Sequence, residues 1–181
     1  EAAALANGAS LALREALRGQ LRVNAPLGFC RSYIGPAISH FNRKYPDVVI
    51  QLHLTDRPVA LPDDATDISI RFGDIPDSRL IAKKIAVNRR LLCASPAYLR
   101  TAGCPANPQE LSRHQCIVLR QNESAYGNWR LIRGKQTETV KVQGKLSTND
   151  GEVALNWALD GHGILMRAEW DVAKYLRSGR L

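Results

Sequence analysis

The feature that most constrains the fold is a strand–helix–strand pattern in the first third of the chain. Residues 21–29, LRVNAPLGF, alternate apolar and polar side chains before a Pro-Leu-Gly turn, which predicts a short strand. Residues 30–45 place apolar side chains at helical spacing and end before a proline, where helical angles are disfavoured. Residues 48–54, VVIQLHL, predict a second strand. Because such units build parallel sheets, we expect an α/β fold.

The rest of the chain continues this alternation of short strands and helices. A thin alanine stripe over residues 1–19 predicts a connecting helix that stops at Gly19. The 181 residues suffice for one domain or two small lobes. The other predicted strands are 67–72, a bent or broken pair within 80–94, 116–119, a hairpin of 129–132 with 137–142, 145–148 and 164–166, and the other predicted helices are 96–102, 151–160 and 169–177.

The chain is basic, with a net charge of +8 from 25 Lys and Arg against 17 Asp and Glu. This balance fits an anionic or nucleic-acid partner, and a solvated basic surface is the alternative. The basic residues are spread out without interleaved aromatic residues, which is unlike a nucleic-acid groove. No apolar run reaches the roughly 20 residues of a membrane helix, and no secretion signal is visible. The missing initiator methionine predicts a processed chain or a fragment.

No motif for catalysis, for a metal or for a nucleotide cofactor is visible. The chain has no GxSxG elbow, no P-loop and no GxGxxG, and its histidines are not paired at ligand spacing. The four cysteines form no CxxC pair, so a zinc site is not predicted. Two disulfides are the alternative, but reduced thiols are expected in a chain of this size. We therefore expect no catalytic residue, no metal ligand and no cofactor.

Two predicted strand-to-helix junctions are candidates for ligand binding. The first is at residues 25–29 and the second at residues 148–150. A helix N-terminus has unpaired backbone N–H groups and the positive end of the helix dipole, which suit a carboxylate. In open α/β sheets, ligands lie outside the carboxyl ends of the strands. The alternative is that both junctions are ordinary turns and caps.

Five segments, taken in order, resemble the regulatory, effector-binding part of LysR-type transcriptional regulators. They cover most of the chain, and their shared order is more specific than any one of them. The segments are GQLRVNAPLGF at 19–29, FNRKYPDVVIQLHLTDR at 41–57, DISIRFGDIPDSRLIAKKI at 67–85, LLCASPAYLRTAGCPANPQEL at 91–111, and the stretch from STNDGEV to GHGILM at 147–166.

The resemblance implies two Rossmann-like α/β lobes joined by crossover strands near Cys93-Ala94-Ser95, resembling periplasmic solute-binding proteins. Residues 1–19 would be the remnant of a linker helix, 20–93 the first lobe and 94–181 the second, with the return to the first lobe missing. A small effector, often an organic acid, would bind between the lobes. The implied ligand-binding residues are Pro26, Leu27, Gly28, Phe29, Thr55, Arg71, Phe72, Thr148, Asn149 and Asp150.

Arg71 is the natural counter-charge for an effector carboxylate, because its planar fork binds two oxygens at once. A salt bridge between Arg71 and a nearby aspartate is the alternative. Two departures from the family pattern stand out. Relatives often have a hydroxyl side chain near the position of Leu27 or Gly28, and this chain has none there. Arg167 stands where the family usually has a proline.

The resemblance also implies partners and a place in the cell. We expect a homodimer or higher oligomer in which helix 30–45 of one chain meets helix 151–160 of the other, with Tyr33, Ile38 and Trp157 as candidate contacts. DNA would be bound only through a helix-turn-helix half that this chain lacks. The protein would be cytoplasmic, with no membrane contact. The alternative function is a periplasmic-type solute-binding protein for a small organic anion.

Overall fold

The computed structural model describes residues 17–55, 66–73, 81–120 and 127–181. The chain divides into two units, Glu1–Ala82 and Lys83–Leu181. The helix predicted over residues 1–19 lies outside the described residues except for its end. There Gly19, predicted to stop the helix, is instead the first residue of a strand.

The first unit contains a three-stranded parallel sheet. Strand β1, Gly19–Ala25, lies at its centre between β2, Val48–Leu54, and β3, Ile68–Ser69. The pairing of β1 with β2 runs in register from Gly19 opposite Val48 to Ala25 opposite Leu54. The predicted strand–helix–strand unit is thereby confirmed.

Helix α1 covers residues 27–44 and connects β1 to β2. It consists of an α turn, Leu27–Phe29, a π-helical turn, Cys30–Ile34, and an α-helix, Gly35–Lys44. The prediction of a start at residue 30 was wrong by three residues. Pro26 adopts extended angles and its carbonyl accepts a hydrogen bond from the backbone N–H of Cys30 at 2.9 Å, which begins the helix immediately after the proline.

Strand β3 is shorter than predicted. Residues 67–72 alternate in the sequence, but only Ile68–Ser69 pair as a strand with β1. One further hydrogen bond joins the Ile70 N–H to the Asn24 carbonyl at 2.8 Å. Arg71 and Phe72 therefore leave the sheet at its carboxyl end.

The second unit is built on a four-stranded mixed sheet. Its strands are β4, Arg90–Cys93, β5, Cys116–Leu119, β8, Ser147–Thr148, and β9, Ile164–Ala168. They lie in the order β4-β9-β5-β8, with β4 antiparallel to β9 and β5 parallel to both β8 and β9. Of the strand pair predicted within 80–94, only β4 forms, and residues 81–89 are in neither helix nor strand.

The pairing of β4 with β9 explains where the chain divides. The second unit begins at Lys83. The lobe boundary between residues 93 and 94, which the resemblance implied, stays a prediction. Strand β4 belongs to the second unit because its hydrogen bonds go to β9, with Cys93 opposite Leu165.

The remaining elements follow the predicted order. Strands β6, Asn128–Arg133, and β7, Gln136–Lys141, form the expected hairpin. The helices of this unit are α2, Pro96–Ala102, a 3₁₀ helix, Pro108–Arg113, α3, Gly151–Leu159, and α4, Glu169–Arg177.

Two apolar clusters fill the second unit. One packs under the hairpin and α2, and the other packs under α3 and α4. The first contains Ala94, Tyr98, Leu111, Cys116, Val118, Trp129, Val140, Val142 and Ile164. The second contains Cys93, Ile117, Ala154, Leu155, Ala158, Leu165 and Val172.

Candidate ligand-binding site

The first junction brings the end of β1, the start of α1 and the end of β2 together. Pro26 is the N-cap of α1, and no side chain of the described residues caps this first turn. The backbone N–H of Thr55 donates to the carbonyl of Ala25 at 3.1 Å, which places Thr55 beside the junction. The first turn of α1 can therefore present backbone N–H groups at the carboxyl end of the sheet.

Phe29 and Phe72 meet at this junction. Their ring centroids lie 5.4 Å apart in an edge-to-face arrangement, and the Tyr33 ring stacks on Phe29 with a centroid distance of 5.0 Å. Phe72 and Tyr33 are 38% and 46% exposed, so the cluster offers an accessible aromatic surface. Tyr33 was not among the predicted ligand-binding residues, although its i,i+4 spacing from Phe29 signals such a contact.

Arg71 follows β3 at the same edge of the sheet and is partly buried. Asp67 is the described aspartate nearest to Arg71 in the sequence, but it forms an ion pair with Arg22. The Arg22 side chain donates from Nε at 3.2 Å and from Nη2 at 3.0 Å, and its backbone N–H donates at 2.7 Å. These hydrogen bonds hold the pKa of Asp67 below its ordinary value. Within the described ranges, Arg71 forms no ion pair.

At the second junction the side chain of Asp150 caps its own helix. Its Oδ1 accepts hydrogen bonds from the backbone N–H groups of Glu152 at 2.8 Å and Val153 at 3.1 Å. Thr148 Oγ1 accepts from the N–H of Asp150 at 3.0 Å. The first turn of α3 thus already holds a carboxylate, and this junction differs in that respect from the uncapped start of α1.

Arg167 lies beside the same helix start and is 9% exposed. Its Nε donates to Asp171 Oδ2 at 2.5 Å, and its guanidinium lies 5.8 Å from the centre of the Trp170 ring. A Cβ added at Gly151 would overlap the guanidinium. Arg167 is a departure from the family pattern in the sequence, but its position beside Gly151 could not be predicted from the sequence.

The four cysteines form no disulfide bond, and three of them are buried. All four are free, and only Cys104 is exposed. Burial raises the pKa of both Cys93 and Cys116 to about 11, so these thiols stay protonated at neutral pH. Across the described residues no group of three or more His, Cys, Asp or Glu could hold a metal ion. None of the helices in those ranges is long and apolar enough to cross a membrane.

Comparison with known proteins decides the family. A model of the LysR substrate binding domain matches residues 14–181. The chain belongs to the LysR substrate-binding domain family. The predicted fold class, two α/β lobes of the kind found in periplasmic solute-binding proteins, is thereby confirmed, and so is the predicted resemblance. The alternative of a solute-binding transport protein is not favoured.

Curated relatives of this LysR domain are named as regulators. The chain is 44% identical over 164 residues to the HTH-type transcriptional activator TtdR of Escherichia coli K12, covering 90% of this chain and 53% of the relative. It is 37% identical over 169 residues to the HTH-type transcriptional regulator DmlR of the same strain, covering 93% and 55%. The chain therefore spans about half the length of the curated relatives it matches.

Solved LysR structures share the fold. CrgA, a LysR-type regulator from Neisseria meningitidis, is 26% identical with a TM-score of 0.79, covering 98% of this chain and 60% of that one. The virulence activator AphB from Vibrio cholerae is 25% identical with a TM-score of 0.81, covering 99% and 62%.

Proposed function

We propose that this LysR domain senses a small carboxylate effector and transmits its binding to a DNA-binding half that lies outside this chain. The names of the relatives, which call them HTH-type regulators, support the DNA-binding half. A regulator of this kind would work in the cytoplasm, where its DNA lies, and would have no catalytic activity.

The main support for a carboxylate effector is the set of groups that lie at the first junction. The start of α1 has no side-chain cap, and Arg71 follows β3 at the same edge of the sheet. Backbone N–H groups and a guanidinium are both suited to carboxylate oxygens. The Phe29 and Phe72 rings add an apolar surface for the hydrocarbon part of the effector.

The remaining predicted ligand residues stay predictions. Thr148, Asn149 and Asp150 are proposed as the contribution of the second unit. Since the Asp150 carboxylate is bonded to the first turn of α3, we assign Asp150 the task of fixing this turn. Asn149 and Thr148 would make the direct contacts.

Thermal unfolding of the chain with a panel of small carboxylates tests the proposal. The panel contains mono- and dicarboxylates, hydroxy acids and the matching uncharged amides. A ligand present at 100 times its dissociation constant stabilises the folded state by about 2.7 kcal/mol. We expect at least one carboxylate to raise the melting temperature while its amide does not. An effect of the amides equal to that of the acids would contradict an anionic effector.

Gel-shift assays test the regulatory part of the proposal. The full-length protein should bind a specific DNA site selected from genomic fragments, and the effector should change that affinity. The present chain alone should not bind the same DNA specifically. Specific DNA binding by this chain would contradict the proposal that DNA is bound by another part of the protein.

We further propose that the domain forms a two-fold dimer. Its support is the outer surface of α1, because the segment Gly35–Lys44 has no buried residue and Tyr33 and Phe41 are exposed. In a two-fold dimer this surface would meet α3 of the partner, and the same pair of patches would be used twice.

A further inference from the structure

The second unit contains a cavity at the end of its sheet away from the predicted effector residues. The cavity has a volume of about 380 Å³ and opens to solvent. Its lining comes from residues 115–117 at the start of β5, from residues 145 and 146 before β8, from Trp157 on α3 and from His162 before β9. Since β5, β8 and β9 are parallel, their amino ends share this edge, whereas Thr148 to Asp150 follow the carboxyl end of β8.

The wall formed by the end of α3 is fixed by its own hydrogen bonds. The N–H of Gly161 donates to the Ala158 carbonyl at 3.1 Å, and the N–H of His162 donates to the Trp157 carbonyl at 3.0 Å. These bonds satisfy two of the carbonyl groups at the negative end of the α3 dipole, and the acidic C-cap residue Asp160 is not part of the lining. A Cβ added at Gly163 would overlap the Gln115 carbonyl, so the turn that carries His162 packs tightly against β5.

The floor of the cavity is apolar and its rim is polar. Ile117 is buried, and Leu146 and Trp157 are partly buried. Gln115, Lys145 and His162 are exposed, and their side chains make no hydrogen bond or ion pair with any described residue. This combination of an apolar interior with a few convergent polar groups is typical of small-molecule sites, which have volumes of roughly 300–1,000 Å³.

The charges of the lining favour an anion. Lys145 is cationic, and no lining residue is acidic. The Cys116 thiol adds no negative charge, because it donates to the Leu111 carbonyl at 3.7 Å and burial keeps it protonated. The Trp157 ring gives an aromatic or branched hydrocarbon body a flat surface to pack on.

We propose that this cavity is a second ligand site, separate from the effector site, which binds a small carboxylate with an aromatic or branched apolar body about the size of benzoate. Lys145 pairs with the carboxylate at the rim, and Gln115 and His162 donate further hydrogen bonds. The hydrocarbon body packs on Trp157 and Leu146. The site goes beyond the proposed function, because none of its residues belongs to the predicted effector site. Trp157, also a candidate dimer contact, is the one lining residue that the site shares with the proposed dimer.

NMR titration of the ¹⁵N-labelled chain with benzoate tests the site. We expect saturable shifts in the backbone amides of residues 115–117, 146 and 162, and binding of uncharged benzamide that is weaker by up to about fivefold, because one exposed ion pair is lost. Shifts confined to residues 27–29, 71 and 72, or 148–150 would place benzoate at the effector site and overturn the inference. No saturable shift anywhere at millimolar benzoate, or equal binding of benzamide, would also overturn it.

Two variants sharpen the test. Lys145→Met should weaken benzoate binding by about 1.5- to fivefold, which is the range for one solvent-exposed ion pair. Lys135→Met, at the exposed turn of the β6–β7 hairpin, is the matched control and should leave binding unchanged. Leu146→Trp should fill the cavity and abolish the shifts, with the remaining spectrum reporting that the fold is intact. Equal loss in the two lysine variants would indicate unspecific attraction to a basic surface and would overturn the site.

Discussion

The guanidinium of Arg167 occupies the space that a side chain at Gly151 would need. The arginine is held there by Asp171, in the first turn of α4 and four residues further along the chain, and by the neighbouring Trp170 ring. A glycine at the first position of α3 is therefore required by the arginine on β9, and the two positions should vary together.

Gly151→Ala should destabilise the protein. In the absence of Arg167 an alanine would favour the helix, but here it must displace a buried guanidinium and its ion pair. We expect a cost of about 1–3 kcal/mol, the usual range for overpacking, measured by urea unfolding. Asn156→Ala, at an exposed position of the same helix, is the control and should change stability little. An unchanged midpoint for Gly151→Ala would show that Arg167 moves away without cost.

The ion pair of Arg22 and Asp67 should make stability depend on pH. Because the pKa of Asp67 is lowered in the folded state, its contribution is present above the ordinary value of about 3.9 and is lost as the pH falls through the lowered pKa. Asp67→Asn should remove this part of the acid dependence in urea unfolding at low salt. An identical pH profile for wild type and variant would contradict the assignment.

The four cysteines should differ in reactivity. Cys104 is exposed, whereas Cys30, Cys93 and Cys116 are buried and have raised pKa values. A disulfide reagent at pH 8 should modify one thiol quickly and the other three only after unfolding. Cys104→Ser should abolish the fast phase. Rapid modification of Cys93 or Cys116 in the folded protein would show that the second unit opens readily.

Arg71→Ala should weaken effector binding roughly tenfold to a hundredfold. This range follows from one charge-assisted hydrogen bond, which is worth about 1.5–3 kcal/mol. Stability in urea should be nearly unchanged, since Arg71 has no ion pair within the described ranges. Arg43→Ala, an exposed cation on α1, is the control for calorimetric titration. Lost stability with unaltered binding would give Arg71 a structural role instead.

The proposed dimer should depend on the outer surface of α1. Tyr33→Asp should shift the protein to monomers in sedimentation velocity, because it places a charge in an apolar contact. His40→Asp introduces the same charge at another exposed position of α1 and serves as the control. Circular dichroism checks that the helix persists, since Tyr33 also stacks on Phe29. A wild-type chain that stays monomeric at high concentration would argue against the dimer.

The strand–helix–strand unit could be predicted because its periodic pattern is local. Strand β2 has the predicted bounds, and α1 ends before Pro46 as expected. The start of α1 was missed because Pro-Leu-Gly is typical of turns, although the fixed backbone angle of proline also suits the first turn of a helix. Similarly, the alternation over residues 67–72 predicts an extended segment but not how much of it pairs.

Contacts between distant residues explain most of what the sequence could not predict at the candidate site. Arg22 and Asp67 are 45 residues apart, so the ion pair that leaves Arg71 to other partners is visible only in the fold. Arg167 and Asp171 are four residues apart and can be paired from the sequence, but the overlap of Arg167 with position 151 cannot be predicted from it. The cavity before β8 likewise arises from three segments that show no shared motif.

The π-helical turn Cys30–Ile34 has a consequence for how this segment varies among related chains. A π turn holds one more residue than an α turn, and each residue turns a helix by about 100°. In a relative that lacks the extra residue, the helix after this turn would be rotated about its axis by that amount. The junction before the turn would be unchanged. Insertion or deletion of a single residue between Phe29 and Gly35 would thus redirect the outer surface of the helix without changing its composition. Evolution could in this way alter which partner the helix meets while leaving the ligand-facing junction as it is.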